Sequence, residues 1–278
     1  MKKISRRSFL AAAGLSVAAL ALTACGGSAS SVASSVASSA SSAAASTSAA
    51  AGELTTVEAG KLTMATNAAF PPYEMTTDSG EFEGIDIETA QAIADKLGLE
   101  LQIDDMDFDA ALLSVQQGKA DIVMAGVTVT DERKAVMDFS DSYATGIQSI
   151  IVPEGSDIAS PDDLAGKKIG TQRGTTGYIY CSDDFGDENV VAYDDGLTAV
   201  QALNNGQVDA VVIDNAPAKE FVAANPGLVI LDTSYAEEDY AIGVAKGSSL
   251  KDAVNAALEE LKADGTLQSI VDKYITAE

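Results

Sequence analysis

The stretch QQGKADIVMAG (116–126) and its echo NNGQVDAVVID (204–214) decide the fold class. Each starts as the polar end of a helix, turns at a glycine, meets an aspartate three residues later and runs into an apolar segment. Glycine is the residue that lets a helix stop. A short run such as DIVMA or DAVVI, apolar without alternation, fits a strand covered on both faces. Helices feeding covered strands imply parallel sheet flanked by helices, and two copies of one grammar imply two similar lobes.

Outward from these anchors the alternation continues. KLTMAT (61–66) reads as a strand, followed by a loop NAAFPPYEM (67–75) whose two prolines exclude a helix. GIDIETAQAIADKLG (84–98) has Ile85, Ala90, Ile93, Ala94 and Leu97 at helical spacing and a stop at Gly98. LELQIDD (99–105) is a strand, FDAALLSVQQG (108–118) a helix and ADIVMAG (120–126) a strand. TDERKAVMDF (130–139) opens a helix with Thr130 as N-cap. The second series begins after QSIIVPEGSD (148–157). PDDLAG is a helical turn, KKIGTQ a strand, GTTGYIYC (174–181) a loop entering a helix, NVVAY a strand, GLTAVQALNNG (196–206) a helix and VDAVVID (208–214) a strand. NAPAKEFVAAN is a further helix, LVIL and DYAIGVAKG (239–247) are strands, and the tail 249–275 forms two closing helices.

The N-terminus reads as an address. MKKISRRSFL is a charged segment, followed by the apolar FLAAAGLSVAALALTA, too short to span a membrane and suited to a signal peptide over 1–24. LTAC (22–25) resembles a lipobox, which makes Cys25 the acylated residue, and SRRSFL resembles a twin-arginine signal. Residues 26–52 are nearly all Ser, Ala and Gly and lack the large apolar groups that offset ordering entropy. They read as a flexible leash spanning about 30 Å, part of a linker over 25–58. With Cys25 lipidated, Cys181 has no partner for an intramolecular disulfide, and a buried inert thiol is its simplest role.

Charge narrows the partners. Asp and Glu number 42 against 17 Lys and Arg, and setting aside Lys2, Lys3, Arg6 and Arg7 takes the net charge from −25 to −29. Such a surface repels nucleic acid. The chain has no histidine, the commonest general base and metal ligand. No cofactor or metal is expected.

Beyond the first ten residues only two arginines occur, Arg133 and Arg173. Ligands of open parallel sheets sit at the carboxyl ends of strands. That places Asn67, residues 125–133, the loop 172–177 and Asp214 at the ligand-facing edges. Arg133, in the first turn of its helix, can grip a carboxylate with two parallel hydrogen bonds, which a lysine cannot; a surface pairing with Asp131 or Glu132 is the alternative. TQRGTTG (171–177) offers Thr175 and Thr176 beside Gly174, as anion donors or as simple caps. Asp214 ends a covered strand and needs a partner, either a ligand ammonium or the helix that follows. One fixed cation, one fixed anion, neutral donors and Phe70 as a wall fit a free α-amino acid, and no nucleophile–base pair suggests turnover.

From about Lys61 to Ile275 the chain resembles the polar amino-acid-binding proteins of bacterial ABC importers, in NAAFPPYEM, GIDIETAQAIADKLG, the run 108–143, LAGKKIGTQRGTTG, GQVDAVVID and LEELKADGTLQSIVDKY. The resemblance implies a two-lobed α/β fold of the type II periplasmic-binding-protein kind. Lobe 1 would take 59–146 and 241–278, lobe 2 would take 147–240, and two strands would cross between them as a hinge. It implies that Arg133 holds the ligand carboxylate with help from Gly126 and Thr128, that Thr175 and Thr176 add the second lobe's share, and that Asp214 receives the ammonium. Phe70 would stack on the ligand, and Asn67 would help read its side chain. Asn67 stands where relatives that take Lys or Arg often have an acid, so a neutral or polar side chain is expected; Ala125 replaces a hydroxyl residue, and Arg173 near the cleft would favour an acidic side chain. A monomer anchored by lipid outside the cytoplasm, handing a free amino acid to a membrane permease, is the implied role. An exported dehydratase-like enzyme and a stand-alone amino-acid sensor or adaptor on the same fold are the alternatives.

Overall fold

A computed structural model describes residues 54–275. The expectations for the signal segment, for Cys25 and for the linker up to residue 53 fall outside these residues. Strand β1 (Lys61–Thr66) leads into a hairpin of three short strands, β2 (Ala69–Phe70), β3 (Glu74–Thr76) and β4 (Phe82–Glu83). Helix α1 (Ile85–Leu97), β5 (Glu100–Asp105), α2 (Phe108–Gln116), β6 (Ile122–Val123) and a short α3 (Asp131–Val136) follow. Strand β7 (Met137–Pro153) is seventeen residues long. After it come β8 (Ile169–Gln172), α4 (Thr176–Phe185), β9 (Val190–Tyr193), α5 (Gly196–Asn204), β10 (Ala210–Asp214) and α6 (Asn215–Ala224). The chain closes with β11 (Leu228–Ile230), β12 (Ala236–Ala245), α7 (Leu250–Ala263) and α8 (Thr266–Tyr274). Among the described residues no helix is long and apolar enough to cross a membrane.

The main sheet runs β5-β1-β6-β12-β7-β10-β8-β9. Its outer triplets, β5-β1-β6 and β10-β8-β9, are parallel, as the helix–strand alternation requires. Between them β12 and β7 run antiparallel to each other and to their neighbours, from Ala236↔Gln148 to Ala245↔Met137. Both long strands therefore belong to both halves of the sheet. Leu62, Met64 and Ile122 lie fully buried in one half and Ile150 and Ile169 in the other. Each such side chain contributes roughly 1.5–3 kcal/mol on burial. The tail helices α7 and α8 pack on α1, so the end of the chain covers the half formed by its beginning.

The repeated Gly-x-x-Asp has a structural cause. Gly118 and Gly206 both take left-handed backbone, at φ 65° and 67°. Asp121 then accepts the Thr63 N–H at 2.8 Å and returns its own N–H to the Thr63 carbonyl at 2.9 Å. Asp209 does the same with Lys168, at 2.7 Å in both directions. In each half the aspartate fixes the incoming strand in register beside its parallel neighbour.

Three expectations change. The strand expected over 120–126 pairs only at Ile122 and Val123, because the chain leaves the sheet at Met124 and carries Ala125 and Gly126 to a cavity. The loop 67–75 contributes two strands of the hairpin. The helix opened by Thr130 stops at Val136, and Met137–Pro153, in which the sequence marked no strand, is the longest strand among the described residues.

Candidate functional site

Between the two halves of the sheet lies a cavity, and the space within it counted out to the solvent at its mouth is about 430 Å³. Its walls come from Asn67, Phe70 and Glu74 on the β1–β3 side, from Ala125, Gly126, Thr128 and Arg133 after β6, and from Gln172, Thr175 and Thr176 at the β8–α4 junction. Asp214, Gln148 and Tyr240 complete it from β10 and the two long strands. All the predicted site residues except Arg173 meet here.

Arg133 is 8% exposed, and its N–H caps α3 by donating to the Thr130 hydroxyl at 3.1 Å. The guanidinium lies over the Phe108 ring and donates to the Thr128 carbonyl at 2.8 Å and to the Gly174 carbonyl at 3.2 Å. It thus ties one half of the fold to the other. Burial lowers its pKa, an effect the acid Glu238 opposes. An arginine stays charged in proteins, so a buried one gains from an anion. The surface pairing with Asp131 or Glu132 is absent from the described contacts of Arg133.

Asp214 takes the capping role, and it also stands on the cavity wall. Its Oδ1 accepts the Ala216 N–H of α6 at 3.0 Å, and Oδ2 accepts the Ile147 N–H at 2.7 Å and faces the Tyr240 hydroxyl. The same carboxyl borders the cavity, and burial pushes its pKa up to about 6. Gly146 makes this packing possible: a Cβ there would stand 2.5 Å from the Tyr240 ring and 2.7 Å from Asp214 Oδ2.

The two threonines divide their work. Thr175 caps α4, accepting the Tyr178 N–H at 3.3 Å and donating to the Gln172 carbonyl at 2.8 Å. Its hydroxyl is committed to the fold, as the capping alternative held. The Thr176 hydroxyl donates to Glu238 Oε2 at 2.9 Å, where Thr128 at 3.1 Å and the Gln148 amide at 3.0 Å also donate. Thr128 and Thr176 stand 3.4 Å apart across the cavity. The turn before them needs glycine: Gly174 has φ +73°, and a Cβ there would come within 1.6 Å of Asp109 Oδ1.

Four assignments are corrected. Arg173 is not in the cavity; its half-exposed side chain reaches Asp194 at 3.6 Å and the Ala192 carbonyl at 3.4 Å, in a separate hollow with Asp107 and Asp109. The acids around it already compensate its charge. Gly126 lines the cavity, but its N–H goes to Asp86 Oδ2 at 3.0 Å and is not a donor to a ligand carboxylate. Thr175 has no free hydroxyl. Asn67 donates to the Met106 carbonyl at 2.9 Å and accepts from the Gln172 amide at 2.8 Å, so the amide expected to read a side chain is engaged in bracing the two halves.

Glu74, Gln148, Glu238 and Tyr240 were not singled out by sequence reasoning, and Gln172 entered it only as the first residue of the loop 172–177. Glu74 stands inside NAAFPPYEM but was read as a loop residue. Gln148, Glu238 and Tyr240 lie on the two long strands, which the alternation of helices and strands gave no means to place against the cavity. Cys181 is buried, with its thiol pushed up to about 12 by burial, which leaves it unreactive.

Comparison with known proteins adds a family match over residues 62–277, to the bacterial extracellular solute-binding proteins, family 3. The L-cystine-binding protein TcyJ of Escherichia coli K12 is 33% identical over 226 residues, covering 80% of this chain and 85% of its own. An ancestral arginine-binding protein solved with arginine is 43% identical, with a TM-score of 0.74 over 78% of this chain and 98% of that one. An ancestral arginine-binding protein solved with glutamine is 42% identical, with a TM-score of 0.75 over 78% and 99%. The fold shared with such structures is the type II periplasmic-binding architecture, α/β with a mostly parallel curled sheet.

Proposed function

Because the chain belongs to the bacterial extracellular solute-binding proteins of family 3, we propose that it captures a free L-amino acid in the cavity between its two sheet halves and hands it to the membrane permease of an ABC importer. The observation that carries this reading is the pairing of a buried Arg133 with a buried Asp214 on the walls of one cavity. A guanidinium held by the carbonyls of Thr128 and Gly174 keeps N–H groups in a fixed fork for a carboxylate. Asp214 then faces the ammonium, while Thr176 and Thr128 border the ligand from the two sides with their hydroxyls held by Glu238. Phe70 covers the apolar part of the ligand, beside Tyr73 with ring centres 5.9 Å apart.

Closure follows from the same contacts. Arg133 to Gly174, Thr128 to Thr176 and Gln172 to Asn67 all join the β1 side to the β8 side. A ligand that touches both sides favours the joined state by its differential contacts. With lobe 1 at 59–146 and 241–278 and lobe 2 at 147–240, β7 and β12 are the crossing strands that bend. Lipid on Cys25 would anchor the body outside the cytoplasm. Turnover has no support among the relatives, which are solute-binding proteins.

The side chain is read differently from the sequence expectation. Asn67 suggested a neutral ligand, but its amide is engaged. Glu74, fully buried, borders the same cavity, and its carboxyl oxygens have no hydrogen-bond partner apart from the facing Asp86. A buried unpaired carboxyl is satisfied by a cation. We therefore favour a basic side chain, arginine-like, with an amide side chain as the weaker alternative; relatives have been solved with arginine and with glutamine. Glu74→Gln tests this by equilibrium binding. The variant should lose about 30-fold or more for arginine and change little for glutamine, in line with the removal of one partner of a buried charge pair. Equal losses for both ligands would mean that Glu74 does not read the side chain.

A further inference from the structure

Glu74 of β3 does not stand alone behind the cavity wall. It faces Asp86 in the first turn of α1, and both residues are 0% exposed. Asp86 Oδ2 accepts the Gly126 N–H at 3.0 Å and the Tyr143 hydroxyl at 2.8 Å, while Oδ1 has no geometric partner. The groups acting most strongly on Glu74 are acids, Asp86 and Asp105 of β5. The tyrosines beside the pair, Tyr73 and Tyr143, are held neutral by burial and by these acids; Asp214 also acts on Tyr73, and the Tyr73 ring meets Tyr240 edge-on at 5.4 Å. Arg133, the cation of the cavity, is held by the Thr128 and Gly174 carbonyls.

Two carboxyls facing each other in a dry interior, with acids for neighbours, cannot both ionise. One proton shared between them removes the conflict and leaves a single negative charge, which the Gly126 N–H and the Tyr143 hydroxyl stabilise on Asp86. Building on the basic-side-chain reading above, we infer that Glu74 and Asp86 hold one proton between them while no cation occupies the cavity, and that an entering cationic side chain expels it. The exchange balances: one positive charge enters as guanidinium or ammonium, one proton leaves the carboxyl pair for solvent, and the charge of the wall region is unchanged. A neutral side chain triggers no exchange, because it brings no positive charge to replace the proton. Burial raises both carboxyls, Asp86 to about 6 and Glu74 well above its ordinary value; the neighbouring Asp86 raises Glu74 further, whereas Glu74 lowers Asp86. Affinity for a cationic ligand therefore falls as the pH drops, whereas a neutral ligand is indifferent to this pair. The pair acts as a proton-linked selector, with Asp86 as the positioning residue.

Isothermal titration of the chain with arginine and with its neutral isostere citrulline, in phosphate and in Tris at pH 7, counts the protons. Any proton released by Asp214 on meeting the ammonium is common to both ligands and cancels. Arginine should release up to one proton more than citrulline, seen as a stronger dependence of heat on buffer. Asp86→Asn keeps an acceptor for Gly126 and Tyr143 and gives Glu74 a donor, so Glu74 ionises unaided. In that variant arginine should bind with its extra proton release abolished. If citrulline binds too weakly for its heat to be read, the slope of log affinity for arginine between pH 5.5 and 7.5 replaces it. That slope should be steeper in the unmodified chain than in Asp86→Asn by up to about one proton. Arginine binding with no excess proton release overturns the proton exchange and leaves the basic-side-chain reading standing. Failure of arginine to bind at all overturns that reading, and this proposal with it.

Discussion

Replacing Arg133 by lysine should lower amino-acid affinity by about 30- to 1,000-fold while the fold survives, the range expected when one partner of a buried charged pair is lost. The guanidinium does three things at once. It donates to the Thr128 carbonyl, donates across the cavity to the Gly174 carbonyl, and stacks on Phe108. A lysine ammonium can direct its N–H groups to one or two of these partners, but it has no planar fork left for a carboxylate and no flat face for the ring. The fold should persist, because the cap of α3 uses the backbone N–H of residue 133, which lysine retains. Calorimetric binding and a melting curve separate the two effects. Unchanged binding would mean that the carboxylate site lies elsewhere.

The second large effect is expected at Asp214. Asp214→Asn should weaken binding by about 100-fold, because the ammonium loses its buried counter-charge. It should also cost about 1–3 kcal/mol of stability, since the new amide must turn either an NH2 group or an oxygen toward each of two backbone donors, Ala216 and Ile147, and only one oxygen remains. The pH profile distinguishes a ligand contact from a structural role. With Asp214 raised to about 6 in the empty cavity, protonation competes with the ammonium below that pH. Affinity for a neutral side chain should therefore fall as the pH drops from 7 to 5 in the unmodified chain, and the step should vanish in Asp214→Asn. A variant that keeps the step would assign it to another group.

Much of this molecule was legible because its signals are local. A glycine that ends a helix and an aspartate that fixes the next strand leave a motif, and that motif appears twice with the same hydrogen bonds. Arg133, Thr176 and Asp214 were found because strand ends and helix starts are visible in sequence, and they do converge on one cavity. What stayed hidden depends on long-range pairing. Met137–Pro153 reads as an interrupted apolar run because its two ends lie in different halves of the sheet and bury different faces. Gln148, Glu238 and Tyr240 sit on the two long strands, so their place at the cavity wall or, for Glu238, beside it follows only from a register between residues some ninety positions apart. The engagement of Asn67 and the unpaired state of Glu74 were hidden for a similar reason. The partners that engage Asn67, Met106 and Gln172, come from distant segments, and nothing local shows that Glu74 has none but another acid.

Melting temperature in the presence of each of the twenty amino acids tests most directly whether the cavity is an amino-acid site. A ligand at a hundred times its dissociation constant adds about 2.7 kcal/mol to the stability of the bound form. For a folded body of this size that corresponds to a rise of roughly 5–10 °C. At least one amino acid, with a basic one first, should produce such a rise, and Arg133→Lys should abolish it. A panel that is flat for all twenty would contradict the assignment of this cavity to a free amino acid.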